Sequence, residues 1–170
     1  MFLHSKVFIL KVHTIIMIYF FEGPDQCRKT TMARVVSQIV SIPLWDRSPY
    51  LPHHSFKESH DDDAIFYILD ELRTISLFKK LGGDVIVDRH PLISEIVYSD
   101  KYKRENILKV PDSYDFSDEF IFLMPPQCEG SRDFERYYRV IQELEAPAYV
   151  VASKKFYNAL IEVLDHIPHK

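Results

Sequence analysis

The chain has 170 residues, enough for one domain with a sizeable core. Hydrophobic residues make up 46% and charged residues 27%, an ordinary globular balance with no low-complexity stretch and no internal repeat. A net charge of −4 argues against a surface built to coat nucleic acid, and Cys27 and Cys128, far apart and without a CxxC or Cys/His pattern, read as reduced thiols of a cytoplasmic protein.

The opening "MFLHSKVFILKVHTIIMIYFF" is apolar, but Lys6, Lys11, His4 and His13 interrupt it before it reaches the roughly 20 residues of a membrane span. It also lacks a small-residue cleavage site. It reads as two strands, Val7–Val12 and Ile15–Phe21. Residues 1–14 read as an N-terminal extension, and Met17 is a second candidate start, which would make residues 1–16 an added segment. Ile15–Phe21 is an unbroken apolar run, the pattern of a strand buried on both faces of a parallel sheet. Thr30–Val40 follows as a helix, with Val35, Val36, Ile39 and Val40 proposed for its inner face. Ile42–Trp45 is a short second strand, succeeded by a proline-rich loop.

Ser59 reads as a helix N-cap, and Asp61–Asp63 suit the positive end of the helix dipole. Apolar residues then recur at helical spacing from Ile65 to Phe78, and Gly82 and Gly83 stop the helix. "DVIVD" (Asp84–Asp88) is a third buried strand, Pro91–Ser99 a short helix, and "EFIFLMPP" (Glu119–Pro126) a fourth strand stopped by two prolines. Two helices, Arg132–Leu144 and Ser153–Leu164, complete the reading. Strands alternating with helices predict one α/β domain with a doubly wound, mainly parallel sheet.

Three stretches carry chemistry. The first is Gly23-Pro24-Asp25-Gln26-Cys27-Arg28-Lys29-Thr30, which meets the phosphate-loop pattern G-x-x-x-x-G-K-[ST] everywhere except the second glycine, here Arg28. Such a loop turns backbone N–H groups and a helix N-terminus onto anionic oxygens. Lys29 would reach the β- and γ-phosphates and Thr30 would ligate Mg²⁺. Arg28 either swings outward, adds positive charge to the phosphates, or marks a decayed site. The second is Val85–Ser99, where Asp88 at the carboxyl end of a buried strand could hold Mg²⁺ and Arg89 could clamp a phosphate. The alternative is a plain surface Asp-Arg pair.

The third is "GSRDFERYYRVIQEL", with Arg132, Arg136 and Arg139 on one helical face. These arginines suit a lid that closes over a transferring phosphoryl group, about residues 127–145, or a solvated face laced with acidic pairs. In "WDRSPYLPHH", Asp46 and Arg47 are candidates for acceptor contacts, with Trp45 and Tyr50 for stacking. "HHSFKESHDDD" reads better as a capped acidic helix start than as a metal site, His90 as a base-stacking or packing residue, and Cys27 as a small filler.

Together these motifs resemble the thymidylate kinase and deoxynucleotide kinase branch of P-loop kinases, particularly small phage-type members. "FEGPDQCRKTT" is similar to the branch's FEG-x-D-x-x-GKTT opening. "DRHPLISEIVYS" resembles its D-R-[YFH]-x-x-S-x-x-[AV]-Y element, and "EFIFLMPP" the strand before the lid. The resemblance covers about residues 15–165 and implies a three-layer P-loop kinase fold. It implies ATP and Mg²⁺ as cofactors and a deoxynucleoside monophosphate as the small-molecule substrate. It puts Gly23, Asp25, Gln26, Cys27, Arg28, Lys29, Thr30 and Thr31 at the nucleotide triphosphate. Asp25 would lie by the acceptor sugar, Arg89 at the acceptor phosphate, and Asp88 near the metal. Ser94 and Tyr98 would face the acceptor pocket, and a homodimer through a helix such as 64–80 is suggested. One departure is expected: relatives continue into a fifth strand and a last helix whose connecting loop helps hold adenine, whereas this reading ends at "VLDHIPHK" without them. Competing readings are a nucleoside or DNA-hydroxyl kinase, with Asp46 or Glu22 as base, and a non-catalytic nucleotide-binding module. A GTPase is disfavoured by the lack of an N-K-x-D element.

Overall fold

The computed structural model describes residues 16–45, 61–103, 114–127 and 130–168, with backbone alone for 61–67. The N-terminal segment expected to hold a strand at Val7–Val12 lies outside them. So do Asp46, Arg47, Tyr50, the N-cap at Ser59, most of "HHSFKESHDDD" and Cys128.

Five strands and five helices alternate: β1 (Ile18–Glu22), α1 (Lys29–Val40), β2 (Leu44–Trp45), α2 (Asp61–Leu81), β3 (Val85–Asp88), α3 (Pro91–Tyr102), β4 (Glu119–Leu123), α4 (Arg132–Glu143), β5 (Ala148–Val150) and α5 (Phe156–Leu164). The strands pair in the order β2-β3-β1-β4-β5, and every pair is parallel. Phe21 stands opposite Asp88 on one side and Phe122 on the other, so β1 runs down the middle of the sheet.

Alternating side chains of β1 feed two cores, as the two-residue period of a strand dictates. Ile18 and Phe20 join Val85, Val87, Ile121 and Leu123 under α2, α3 and α4. Tyr19 and Phe21 join Ile86 and Phe122 under α1 and α5. This is the predicted three-layer, doubly wound arrangement. The chain leaves β1 for β2 and β3 on one flank and crosses to β4 and β5 on the other. In such sheets the carboxyl ends of the strands at the reversal form the ligand crevice, and β1 and β3 end there in the two candidate loops.

Three expectations are corrected. A fifth strand is present: β5 pairs with β4 from Ala148 to Val150, and the helix expected at Ser153–Leu164 follows it as α5, packed beside α1, so the expected lack of this pair does not hold. The inner face of α1 is Met32, Ala33 and Val36, while Ile39 is 53% exposed. Successive steps of about 100° from Lys29 put these residues in one stripe, and Ile39 falls at its edge, beside Met32 but near the end of the helix. Helix α3 runs past Ser99 to Tyr102 and ends at Lys103, whose left-handed backbone closes it.

Candidate functional site

The loop between β1 and α1 has tight steric demands. Gly23 adopts φ 141, and a Cβ there would meet the Met124 carbonyl oxygen at 2.8 Å and Cys27 Sγ at 3.0 Å. Only glycine fits. Gln26 and Arg28 are left-handed, with φ 64 and 63. Arg28 thus takes the backbone shape that the missing glycine would supply, at a cost of about 1–2 kcal/mol. It is the N-cap of α1, and its carbonyl accepts from Met32 N–H at 2.9 Å. A left-handed residue followed by helical ones turns successive N–H groups to one side, the nest geometry that binds anions.

Lys29 is buried and donates from Nζ to the Pro24 carbonyl at 3.1 Å, so its stem folds over the loop. Burial, then the nearby Arg89 charge, lowers its pKa from the usual lysine value. Thr30 Oγ1 donates to Asp88 Oδ2 at 2.6 Å, which ties the loop to the end of β3. Asp88 Oδ1 is buried and has no hydrogen-bond partner among the described residues. A free carboxylate oxygen beside a threonine hydroxyl and a lysine is the oxygen-donor set that suits Mg²⁺ with phosphates. No group of three or more His, Cys, Asp or Glu suited to a metal occurs among the described residues. Thr30 and Asp88 alone would leave most positions around such an ion to other oxygen ligands. Thr31, Asp25 and Gln26 are exposed at the loop surface, and Cys27 is buried beneath it with its thiol pKa pushed up by burial.

The turn from β3 into α3 is built differently. Arg89 is left-handed, with φ 77. Its guanidinium donates to Tyr98 Oη at 3.1 Å, Tyr137 Oη at 3.2 Å and Asp25 Oδ1 at 3.0 Å. Asp25 of the first loop and Arg89 of the second therefore meet across the crevice. Partial burial raises the Asp25 pKa, but the Arg89 charge and hydrogen bond more than offset it, and the carboxyl is held below its usual range.

Beneath both loops lies Glu22, fully buried at the end of β1. Its Oε1 accepts from the His90 backbone N–H and from Ser94 Oγ, the latter at 3.1 Å. Its Oε2 has no hydrogen-bond partner among the described residues, and burial pushes its pKa up against the opposing charges of Arg89 and Lys29. Ser94 faces this carboxylate. His90 caps α3: Nδ1 accepts from Leu92 N–H at 3.2 Å, so the ring proton sits on Nε2, 2.8 Å from Glu119 Oε2. The ring is enclosed by Phe20, Tyr114 and Phe116. Base stacking is closed to it, and packing is the correct reading. Glu119 is completed by Lys79 Nζ at 2.7 Å and Tyr114 Oη at 2.8 Å.

Of the α4 arginines, Arg136 pairs with Asp100 at 3.0 Å and Asp133 at 2.8 Å. Arg139 pairs with Asp100 at 2.8 Å. Arg132 is exposed at the first turn, without an ion pair among the described residues. The helix reaches the crevice through Tyr137 instead, a residue the arginine spacing drew attention away from. Its only sequence signal is a tyrosine at a core-facing position, where a buried hydroxyl needs a partner.

No family model and no curated protein matches the sequence. Solved structures do match. Thymidylate kinase from Ehrlichia chaffeensis aligns with a TM-score of 0.53 at 18% identity, over 88% of this chain and 97% of that one. Deoxyadenosine kinase from M. mycoides with bound dATP aligns with a TM-score of 0.58 at 14% identity, over 88% and 97%. NadR protein in complex with NR gives 0.63 at 16% identity, over 89% of this chain and 48% of that one, so the chain spans about half of NadR. By this likeness of structure, the chain has the fold of the P-loop nucleotide kinases.

Proposed function

We propose that this chain transfers the γ-phosphoryl group of ATP to a deoxynucleoside monophosphate. The observation that carries the reading is the Thr30–Asp88 hydrogen bond, with Asp88 Oδ1 left unpartnered beside Lys29. Carboxylate, hydroxyl and lysine converge there on the mouth of an N–H-lined loop. The loop N–H groups and Lys29 would hold the donor's β- and γ-phosphates. Thr30 and Asp88 are the residues that would hold Mg²⁺, which when bound neutralises phosphate charge.

Arg89 supports a phosphorylated acceptor. Its guanidinium is aimed across the crevice by two tyrosine hydroxyls and Asp25, which fixes a cation where a second phosphate would sit. An acceptor phosphate oxygen would then form the new bond to the γ-phosphorus. The bond to the β,γ-bridging oxygen would break, its electron pair leaving with ADP. A phosphate oxygen needs no base, and none is required of Glu22, whose one bonded oxygen is fixed by His90 and Ser94. Rate would come from positioning and charge neutralisation. Arg132 or Arg136 would join as lid residues only if α4 moves, since Arg136 is held by Asp100 and Asp133.

The test is transfer from γ-labelled ATP with Mg²⁺ to separate pools of deoxynucleoside monophosphates, nucleosides and DNA. Label in a diphosphate supports the reading. Label in nucleosides or DNA overturns the acceptor, and no label in any pool overturns the transferase.

A further inference from the structure

The end of β1 carries a buried acid that the transfer chemistry does not use. Glu22 is 0% exposed, and a buried carboxylate persists only where hydrogen bonds hold it. Its backbone carbonyl is taken by Met124 N–H at 2.8 Å, just beyond β4. Its side chain reaches the turn after β3. There Oε1 accepts from the His90 backbone N–H and from Ser94 Oγ, the latter at 3.1 Å.

These two bonds hold the backbone that follows Arg89. The Arg89 N–H donates to the Phe21 carbonyl at 3.2 Å. The next N–H, that of His90, meets the Glu22 carboxylate in place of the Glu22 carbonyl, which Met124 occupies. One turn into α3, the Ser94 N–H bonds the His90 carbonyl at 3.0 Å, and its hydroxyl bonds the same carboxylate oxygen. Arg89 is thus pinned before and after, and it keeps φ 77, a backbone its Cβ makes unfavourable. Hydrogen bonds to a charged acceptor are about twice as strong as neutral ones, which suits Glu22 to hold such a turn. From this turn the guanidinium reaches Tyr98, Tyr137 and Asp25. Both carboxylates, the buried Glu22 and the more exposed Asp25, favour its cation.

We infer that Glu22 is a positioning residue for the acceptor, resting on the function proposed above. Glu22 holds the Arg89 turn so that the guanidinium meets the acceptor phosphate, and it touches no substrate itself. No bond or proton changes at its carboxylate during transfer.

The test is a kinetic cycle with Glu22→Gln, which keeps the shape of the side chain and removes its charge. The KM for the deoxynucleoside monophosphate should rise about tenfold while the KM for ATP changes less than about twofold. A merely structural loss would lower the folded fraction and with it kcat, leaving both KM values in place. In an Arg89→Ala background the same substitution should change the acceptor KM less than about twofold, because the residue it acts through is gone. A wild-type acceptor KM in Glu22→Gln, or an undiminished effect in Arg89→Ala, would overturn the inference. Should Glu22→Gln fail to fold, Ser94→Ala deletes one of the two donors. It should raise the acceptor KM about threefold in the wild type and not in Arg89→Ala, and equal rises in both would overturn the inference. Should the wild type transfer to no acceptor, the kinase reading falls, and NMR of isotope-labelled arginine side chains still judges Glu22. The Arg89 Nε–H signal, assigned by its loss in Arg89→Lys, should shift or broaden in Glu22→Gln. An unmoved signal would overturn the role of Glu22.

Discussion

Two arginines sit at the carboxyl ends of neighbouring strands, Arg28 after β1 and Arg89 after β3, and both hold a left-handed backbone, with φ 63 and 77. Their side chains have opposite fates. Arg89 is fixed by three partners drawn from the first loop, α3 and α4. Arg28 is exposed and unpaired among the described residues. The backbone cost is alike and the side-chain engagement is not. A guanidinium held in place before a ligand arrives provides a fixed anchor, with the ordering entropy already spent in folding. Arg28 has no such preset position among the described residues. The rest of the crevice divides the same way. The β3–α3 turn stands on the buried Glu22, His90 and Glu119 network, while the β1–α1 loop leaves Asp25, Gln26, Arg28 and Thr31 at the surface.

Lys29→Ala strikes the open side hardest. It removes the one buried cation folded over the loop, and transfer should fall about 10²–10³-fold with the melting temperature little changed. A variant that keeps its rate would remove the loop from the chemistry.

Glu119→Gln strikes the support of the fixed side. Burial raises the Glu119 pKa, but His90 and Lys79 outweigh it, so the carboxyl is held below its usual range. A carboxyl depressed in the folded state contributes stability that is present above its unfolded pKa, about 4.3. That stability is lost as pH falls through the lower, folded value. Wild-type melting temperature should therefore drop as pH is lowered below about 5. The variant should be about 3 kcal/mol less stable at pH 7 and show a flatter acid slope, the remainder coming from Asp25, Asp115 and Glu162, which are shifted the same way. Identical slopes in thermal melts at pH 3 to 7 would mean the network contributes nothing.

Tyr137→Phe is the finest cut. It takes one hydroxyl from Arg89 and leaves the ring in the core, at a cost of about 1 kcal/mol. The acceptor KM should rise a few-fold while the donor KM stays put. Equal changes in both would mean Arg89 does not distinguish the two substrates.

Much of this was readable in the residues. β1 and β3 are continuous apolar runs, α2 carries helical spacing to its glycine stop, and the Gly23 to Thr30 pattern sits between a strand and a helix as its chemistry requires. β5 was not readable, because Ala148–Val150 is three residues long and half exposed at a sheet edge, too short for any period to register. The partnership of Arg89 was also hidden. Asp25 lies 64 residues away and Tyr137 lies 48, and only the parallel crossovers bring them together. Arginines spaced along α4 suggested a cationic face, but Asp100 sits on α3, and no local pattern predicts a pairing between helices.

The most direct test sets the two loops against each other in one assay. Initial rates of γ-phosphate transfer would be measured for the wild type, Lys29→Ala and Arg89→Ala while ATP and deoxynucleoside monophosphate are varied separately. Loss through the donor in the first variant, and an acceptor KM raised about tenfold or more in the second, is the result predicted. No transfer by well-folded wild type, or the same kinetic defect in both variants, would contradict the division of the crevice into a donor loop and an acceptor anchor.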